Sequence, residues 1–232
     1  MYEKKILLGL TTTPGSDWRE KTREIDKFGI KEIALFPTFL KTEERKELYS
    51  LLEKTGLESI PHVHLRSPDM GADELNYLID KYKTKVFNVH SPREFAINND
   101  CFNFKDKIYL ENTDFIPAAE EIEKFDGICL DMSHRENYLR ENNFEYVNTL
   151  DNLLEKYPIG CGHASAIKNE PQKDLEEFDN MRFSSHWMDN VNEFDYMKNY
   201  LKYIPEFFSI ELENSFEEQL KVKEYLEKII NS

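Results

Sequence analysis

The chain has 232 residues, 40% hydrophobic and 13% aromatic, enough for a large core, with 32% charged residues to clothe its outside. A formal net charge of -15 argues against general affinity for nucleic acid, whose phosphates are met largely by Lys and Arg displacing counterions. The first apolar run is far too short to span a bilayer and no small-residue cleavage pattern follows it, while Cys101, Cys129 and Cys161 form no CxxC pair; a cytoplasmic protein without membrane contact, disulfide framework or thiolate zinc knuckle is expected. In chain order, short apolar runs begin at Lys5 (KILLGLT), Lys31 (KEIALFP), Ser59 (SIPHVHL), Lys85 (KVFNVH), Lys107 (KIYLEN), Gly127 (GICLDM), Pro158 (PIGCGHA) and Phe207 (FFSIELEN). Between them lie WREKTREIDKFG, ERKELYSLLEKTG and ADELNYLIDKY, with apolar residues at helical spacing and a Gly closing the first two. The span from Ser165 to Asn190 is long and polar; RFSSHWM inside it is strand-like but is placed in the loop after the seventh strand, so that VNEFDYMKNYLKYI can form the helix before the eighth. Eight such units close most naturally into a single-domain α/β fold, a (β/α)8 TIM barrel spanning 1–232, with a doubly wound open sheet as the alternative.

In such a barrel the chemistry sits at the C-terminal strand ends. Those ends carry His62 and His64, His90, Glu111, Asp131 with His134, His163, and Glu211 with Glu213; the long loop adds His186. All six histidines of the chain fall in this set. Strand alternation puts His62 with His64, and Glu211 with Glu213, on one face, so each pair can point inward. Carboxylates crowded at one mouth repel unless a cation or protons neutralise them, and imidazoles among them suit a borderline divalent metal.

The segments HSP, LEN, LDMSH, GHAS, SSHW and SIELENS, in that order over nearly the whole chain, make it resemble the xylose isomerase-like barrels. That superfamily holds sugar and sugar-phosphate isomerases and epimerases together with the endonuclease IV group of apurinic endonucleases. The resemblance implies metal ligands at Glu111, Asp131, His163 and Glu211, with zinc or manganese as the cofactor and magnesium or cobalt as alternatives. It also implies that His134 contacts substrate or a further metal. In the endonuclease branch His64 and His90 match additional ligands, as does His186, whereas Ser184 stands where that branch has an Asp. The sequence WMDN replaces the Gly-rich turn usual in the epimerases, and Trp187 in it is grouped with the substrate-contacting residues.

Three functions are weighed. In an isomerase or epimerase acting on a sugar, sugar phosphate or related hydroxy-carbonyl compound, the metal would stabilise an enediolate. The resemblance implies that Glu111 and Glu211, on opposing walls, share acid and base roles close to the metal, with His134 beside them. Glu213, on the same face, could replace Glu211. A multi-metal phosphoester hydrolase would account for the number of imidazoles, and a non-catalytic metal-binding barrel is the third reading. Arg66, Arg93 and Arg135, together with His62, are candidates for holding a substrate anion, although each guanidinium has an acidic neighbour in Asp69, Glu94 or Glu136. The aromatic stretches FNVHSPREFAINNDCFNF and YIPEFF could cover a homo-oligomer interface or roof the pocket.

Overall fold

The computed structural model describes residues 4–173 and 181–231. Ten strands run in chain order: β1 (Lys5–Thr11), β2 (Glu32–Phe36), β3 (Ser59–His64), β4 (Val86–Val89), β5 (Ile108–Glu111), β6 (Ile128–Asp131), β7 (Ile159–Ala164), β8 (Ala166–Lys173), β9 (Met181–Ser185) and β10 (Phe207–Ile210). Eight of them close a parallel barrel in the order β1-β10-β7-β6-β5-β4-β3-β2. All eight apolar runs of the sequence are staves of this (β/α)8 barrel. Because helices cover its outside, β3 to β6 are buried on both faces, which is why these segments read as continuous apolar runs rather than alternating ones.

The helices are α1 (Trp18–Lys27), α2 (Thr42–Leu52), α3 (Ala72–Tyr82), the short α4 (Ala119–Ile122), α5 (Met132–Arg140), α6 (Phe144–Lys156) and α7 (Phe216–Ile230). Their starts follow capping chemistry: Asp17, Asn143 and Ser215 each accept a backbone N–H of the first turn, and Ser215 with Glu218 completes a capping box. Asp131 caps α5 in the same way, accepting from the His134 N–H at 2.8 Å. None of the described helices is long and apolar enough to cross a membrane.

Two expectations are corrected. RFSS is not loop: β9 pairs antiparallel with β8, with Ile167 opposite Ser184 and Gln172 opposite Arg182, and the hairpin stands off the barrel. The middle of the Ser165–Asn190 span, 174–180, lies outside the described residues. The segment before β10 is 3₁₀ rather than α, over Val191–Asn199 and Leu201–Tyr203. Its buried Phe194, Met197 and Tyr200 recur every third residue, the period at which a 3₁₀ turn keeps side chains in one row.

The barrel seam depends on Gln219 of α7, which is fully buried. Its amide accepts from the Gly9 N–H at 2.8 Å and donates to the carbonyls of Gly9, Leu212 and Asn214 at 2.9, 3.0 and 3.0 Å. Gly9 lets β1 lie this close to β10, because a Cβ there would stand 2.1 Å from the Ile210 carbonyl oxygen. Gln219→Leu would leave these backbone groups buried and unpaired, and is expected to lower unfolding free energy in urea by about 3 kcal/mol.

Candidate metal and active site

Inward-facing residues stack in layers along the barrel. Val86, Tyr109, Cys129, Cys161 and Phe207 fill the lower interior. Two residues further along their strands, Asn88, Glu111, Asp131, His163 and Ser209 occupy the next level, with Glu211 just past the end of β10, so the strand period lifts most of the polar groups to the C-terminal mouth.

His163, with no exposed surface, is the hub. Its Nε2 stands 3.2 Å from Glu111 Oε1, 3.1 Å from Asp131 Oδ2 and 3.5 Å from Glu211 Oε2. These side chains come from β5, β6, β7 and the end of β10, four adjacent staves. Glu111 and Glu211 stand three staves apart in the ring of eight, one short of directly opposite, with His163 between them. Glu111 is held from both sides: Oε2 takes a short hydrogen bond from Asn88 Nδ2 and lies 2.9 Å from His64 Nε2. His90 sits 4.0 Å from Glu111 and 3.2 Å from Glu94, the latter at ion-pair distance without hydrogen-bond alignment, so its Nδ1 is an unpaired buried atom. His134 lies 3.7 Å from Asp131 and 3.6 Å from Asp114, again with Nδ1 unpaired, and His186 Nε2 is 3.7 Å from Glu211.

Electrostatics follow from this crowding. Burial disfavours the Glu111 anion, yet His163 and His64 hold its carboxyl well below the usual range. Asp131, equally desolvated, is brought down to about 2 by His134 and His163. Burial opposes charging of the histidines, but Glu111 and Glu211 raise His163 well above its ordinary value, and Asp131 with Asp114 lifts His134 to about 9. Glu94 and Glu111 raise His90 in the same sense.

The donor chemistry fits a divalent cation. Ligand atoms of Glu111, Asp131 and His163 all lie within 4.8 Å of one another, and so do those of His64, His90 and Glu111, two groups joined through one carboxylate. His64 Nδ1 faces the Leu65 carbonyl at 3.1 Å, so Nδ1 carries the donor proton and Nε2 turns a lone pair on Glu111 unless a proton or cation intervenes. A third geometric group, His62 with Cys129 and His163, is not a comparable site. Burial pushes the Cys129 thiol well up, and both His62 nitrogens are already occupied.

Other expected site residues fall elsewhere. His62 is fully buried below the mouth, bonded to Ser209 Oγ at 2.7 Å and Asn88 Oδ1 at 2.9 Å; burial and the neighbouring His163 push it down to about 3, so it supports Asn88 rather than meeting substrate. Glu213 does not share a face with Glu211, because β10 ends at Ile210 and alternation ends with it. It bonds instead to Thr13 and stands 4.0 Å from the buried Lys21. Arg135 makes a two-point pair with Asp151 at 2.8 and 2.7 Å and donates to the Tyr200 hydroxyl, away from the mouth. Arg93 is bound to Glu121 and the Ile116 carbonyl. Only Arg66 of the three lines the mouth, paired with Asp69 at 2.5 Å. Trp187 lines it beside His186. The sequence reading missed Asp114, Arg182, Glu94 and Asn88. Asp114 and Arg182 are paired across the cleft, and nothing in LENTDF or MRFSS announces that two distant segments meet.

No protein-family model and no curated protein matches the chain. Among solved structures it is similar to the apo form of 3-keto-D-glucoside 4-epimerase, YcjR, from E. coli, at 12% identity and a TM-score of 0.41, over 98% of this chain and 100% of that one. Likeness at that level says nothing of which residues act or on what.

A cation ligated by His163 needs its imidazole neutral, whereas the surrounding carboxylates favour the protonated ring in the metal-free protein. Raising the pH removes the competing proton. Apparent affinity for Mn²⁺ or Zn²⁺ is therefore expected to rise from pH 6 to pH 8, with protons released on binding, as calorimetry in buffers of different ionisation enthalpy would show; pH-independent binding without proton release would exclude His163 as a ligand.

Proposed function

We propose that the barrel mouth is the active site of a divalent-metal-dependent isomerase or epimerase, and that the chain is one barrel domain of the xylose isomerase-like kind. Its substrate would be a small polyhydroxy carbonyl compound, a sugar or sugar phosphate. The observation that supports this most is the convergence of Glu111, Asp131 and Glu211 on His163, beside an open cleft of about 470 Å³ lined by the same carboxylates. Glu111, Asp131, His163 and Glu211 would hold the cation, which when bound would polarise adjacent carbonyl and hydroxyl oxygens of the substrate.

The protein's own groups divide the remaining work. Both Glu111 oxygens are engaged by His163, His64 and Asn88, so this carboxylate is better suited to holding charge than to carrying a proton. Glu211 is less confined: its nearest imidazoles are at 3.5 and 3.7 Å, beyond hydrogen-bond length. In our reading Glu211 takes the proton from the carbon beside the carbonyl; that C–H pair becomes a carbon–carbon double bond as the carbonyl π pair moves onto its oxygen. A proton is then added either at the former carbonyl carbon, with the neighbouring hydroxyl proton passing to the former carbonyl oxygen, or at the original carbon from the other face. His134, charged at neutral pH and partly exposed, supplies the proton from that second side.

A second reading, phosphoester hydrolysis by a two-metal centre, is favoured by the His64–His90–Glu111 group, whose shared carboxylate could bridge two cations. The two readings predict different results. Protein purified without chelator should carry about one divalent cation per chain. It should also incorporate deuterium from D2O into a substrate ketose or aldose, with Glu211→Gln slowing that exchange at least ~100-fold. Two cations per chain, with hydrolysis of bis(p-nitrophenyl) phosphate and no deuterium incorporation, would overturn the isomerase reading in favour of the second.

A further inference from the structure

We propose that the mouth holds two subsites, and that the substrate carries, beyond the unit that reacts, a second ring with an apolar face seated between Phe39 and Phe95. This rests on the isomerase reading and names the substrate class: a glycoside, whose added ring is a pyranose or an aryl group.

The space around the carboxylates is two connected lobes of different chemistry. One, of about 360 Å³, lies under the β8–β9 hairpin and is lined by Asp114, Gln172, Lys173 and Arg182. The other, of about 470 Å³, has Glu111 and Glu211 at one end and Phe39, Leu65, Pro68 and Phe95 as its apolar wall. The lobes share Thr13, His90, Glu94, Asp131, His134 and His186, and in the isomerase reading the reacting centre lies where they meet. A single sugar at that junction would leave the aromatic lobe in contact with water.

Phe39 and Phe95 are 46% and 48% exposed, and unlike the similarly exposed Phe102, Phe115 and Phe144 they line this lobe of the cleft. Phe95 is not a loose surface residue. Its ring packs on His90 with centroids 5.5 Å apart, which orders it while leaving it half open to the cleft. Thr38 and Arg66 add polar groups to the same lobe. Apolar faces with polar groups beside them match a pyranose, whose C–H face packs on an aromatic ring while its hydroxyls point outward, and they also accept an aryl group. The carboxylates below and the net charge of -15 disfavour a polyanionic ring system such as a nucleic acid.

Trp187 is a ready reporter: it is 45% exposed at the mouth, whereas Trp18, the other tryptophan, is 5% exposed. The protein as purified would be titrated with D-glucose, methyl β-D-glucoside, phenyl β-D-glucoside and cellobiose, following tryptophan fluorescence and saturation-transfer NMR. Phenyl glucoside, cellobiose or both are expected to bind roughly tenfold more tightly than glucose and methyl glucoside. Phe39→Ala and Phe95→Ala should each remove most of that margin and leave glucose unchanged. A margin confined to phenyl glucoside identifies the aryl source; one confined to cellobiose identifies the pyranose. Equal affinities for all four, no binding, or a margin that survives both substitutions would overturn the proposal. So would self-association of the wild type, seen by sedimentation, that these substitutions abolish without affecting ligand affinity. Failure of the isomerase reading would appear separately, as absent deuterium incorporation with the binding preference intact.

Discussion

Buried negative charge at one point is what the rest of the structure is arranged around. Glu111, Asp131 and Glu211 cannot share the space about His163 as bare anions, because like charges this close and this desolvated repel strongly. Imidazoles take the load in part, because the neighbouring carboxylates push His163 and His134 toward their protonated forms. Behind them stands a neutral scaffold. His62 bridges Ser209 and Asn88, Asn88 donates to Glu111, and Asn112 clasps the backbone of Asp131 through both its amide groups. These contacts fix where the charge sits without cancelling it, which leaves a site whose donor chemistry fits a divalent cation.

The layered interior explains which parts were legible in the sequence. Every barrel stave could be read, because a stave buried on both faces needs an uninterrupted apolar run and the intervening helices need a different period. The donors could be read for the same reason: strand period carries Tyr109 to Glu111, Cys129 to Asp131 and Cys161 to His163, one layer up in each case. Glu213 shows where that logic stops. Three residues past the end of β10 the chain bends at Glu213, and its carboxylate is captured by Thr13 and Lys21.

What was illegible depends on contacts between loops. Arg93 and Arg135 stand just beyond strand ends, as anion-binding residues would, yet their partners Glu121 and Asp151 lie on segments whose approach is set by helix packing. The Asp114–Arg182 pair is the converse case, two residues without local signal that the hairpin brings together. The hairpin itself was hidden because AIKNEPQK has little strand character, and pairing with RFSS supplies what the local sequence lacks.

α5 joins the two kinds of structure. Its first turn is closed by Asp131, a donor at the cluster, and further along Asn137 accepts the backbone N–H groups of Phe183 and Ser184 in β9 at 2.7 and 3.3 Å, while Arg140 reaches the Lys168 carbonyl in β8. The roof over the polar lobe is thus bolted to the same rod that Asp131 of the cluster caps. In evolutionary terms the hairpin is not an independently exchangeable module: a lineage acquiring a new roof would have to inherit or rebuild α5 with it, and drift in that helix would register at the carboxylate cluster before it registered at the surface.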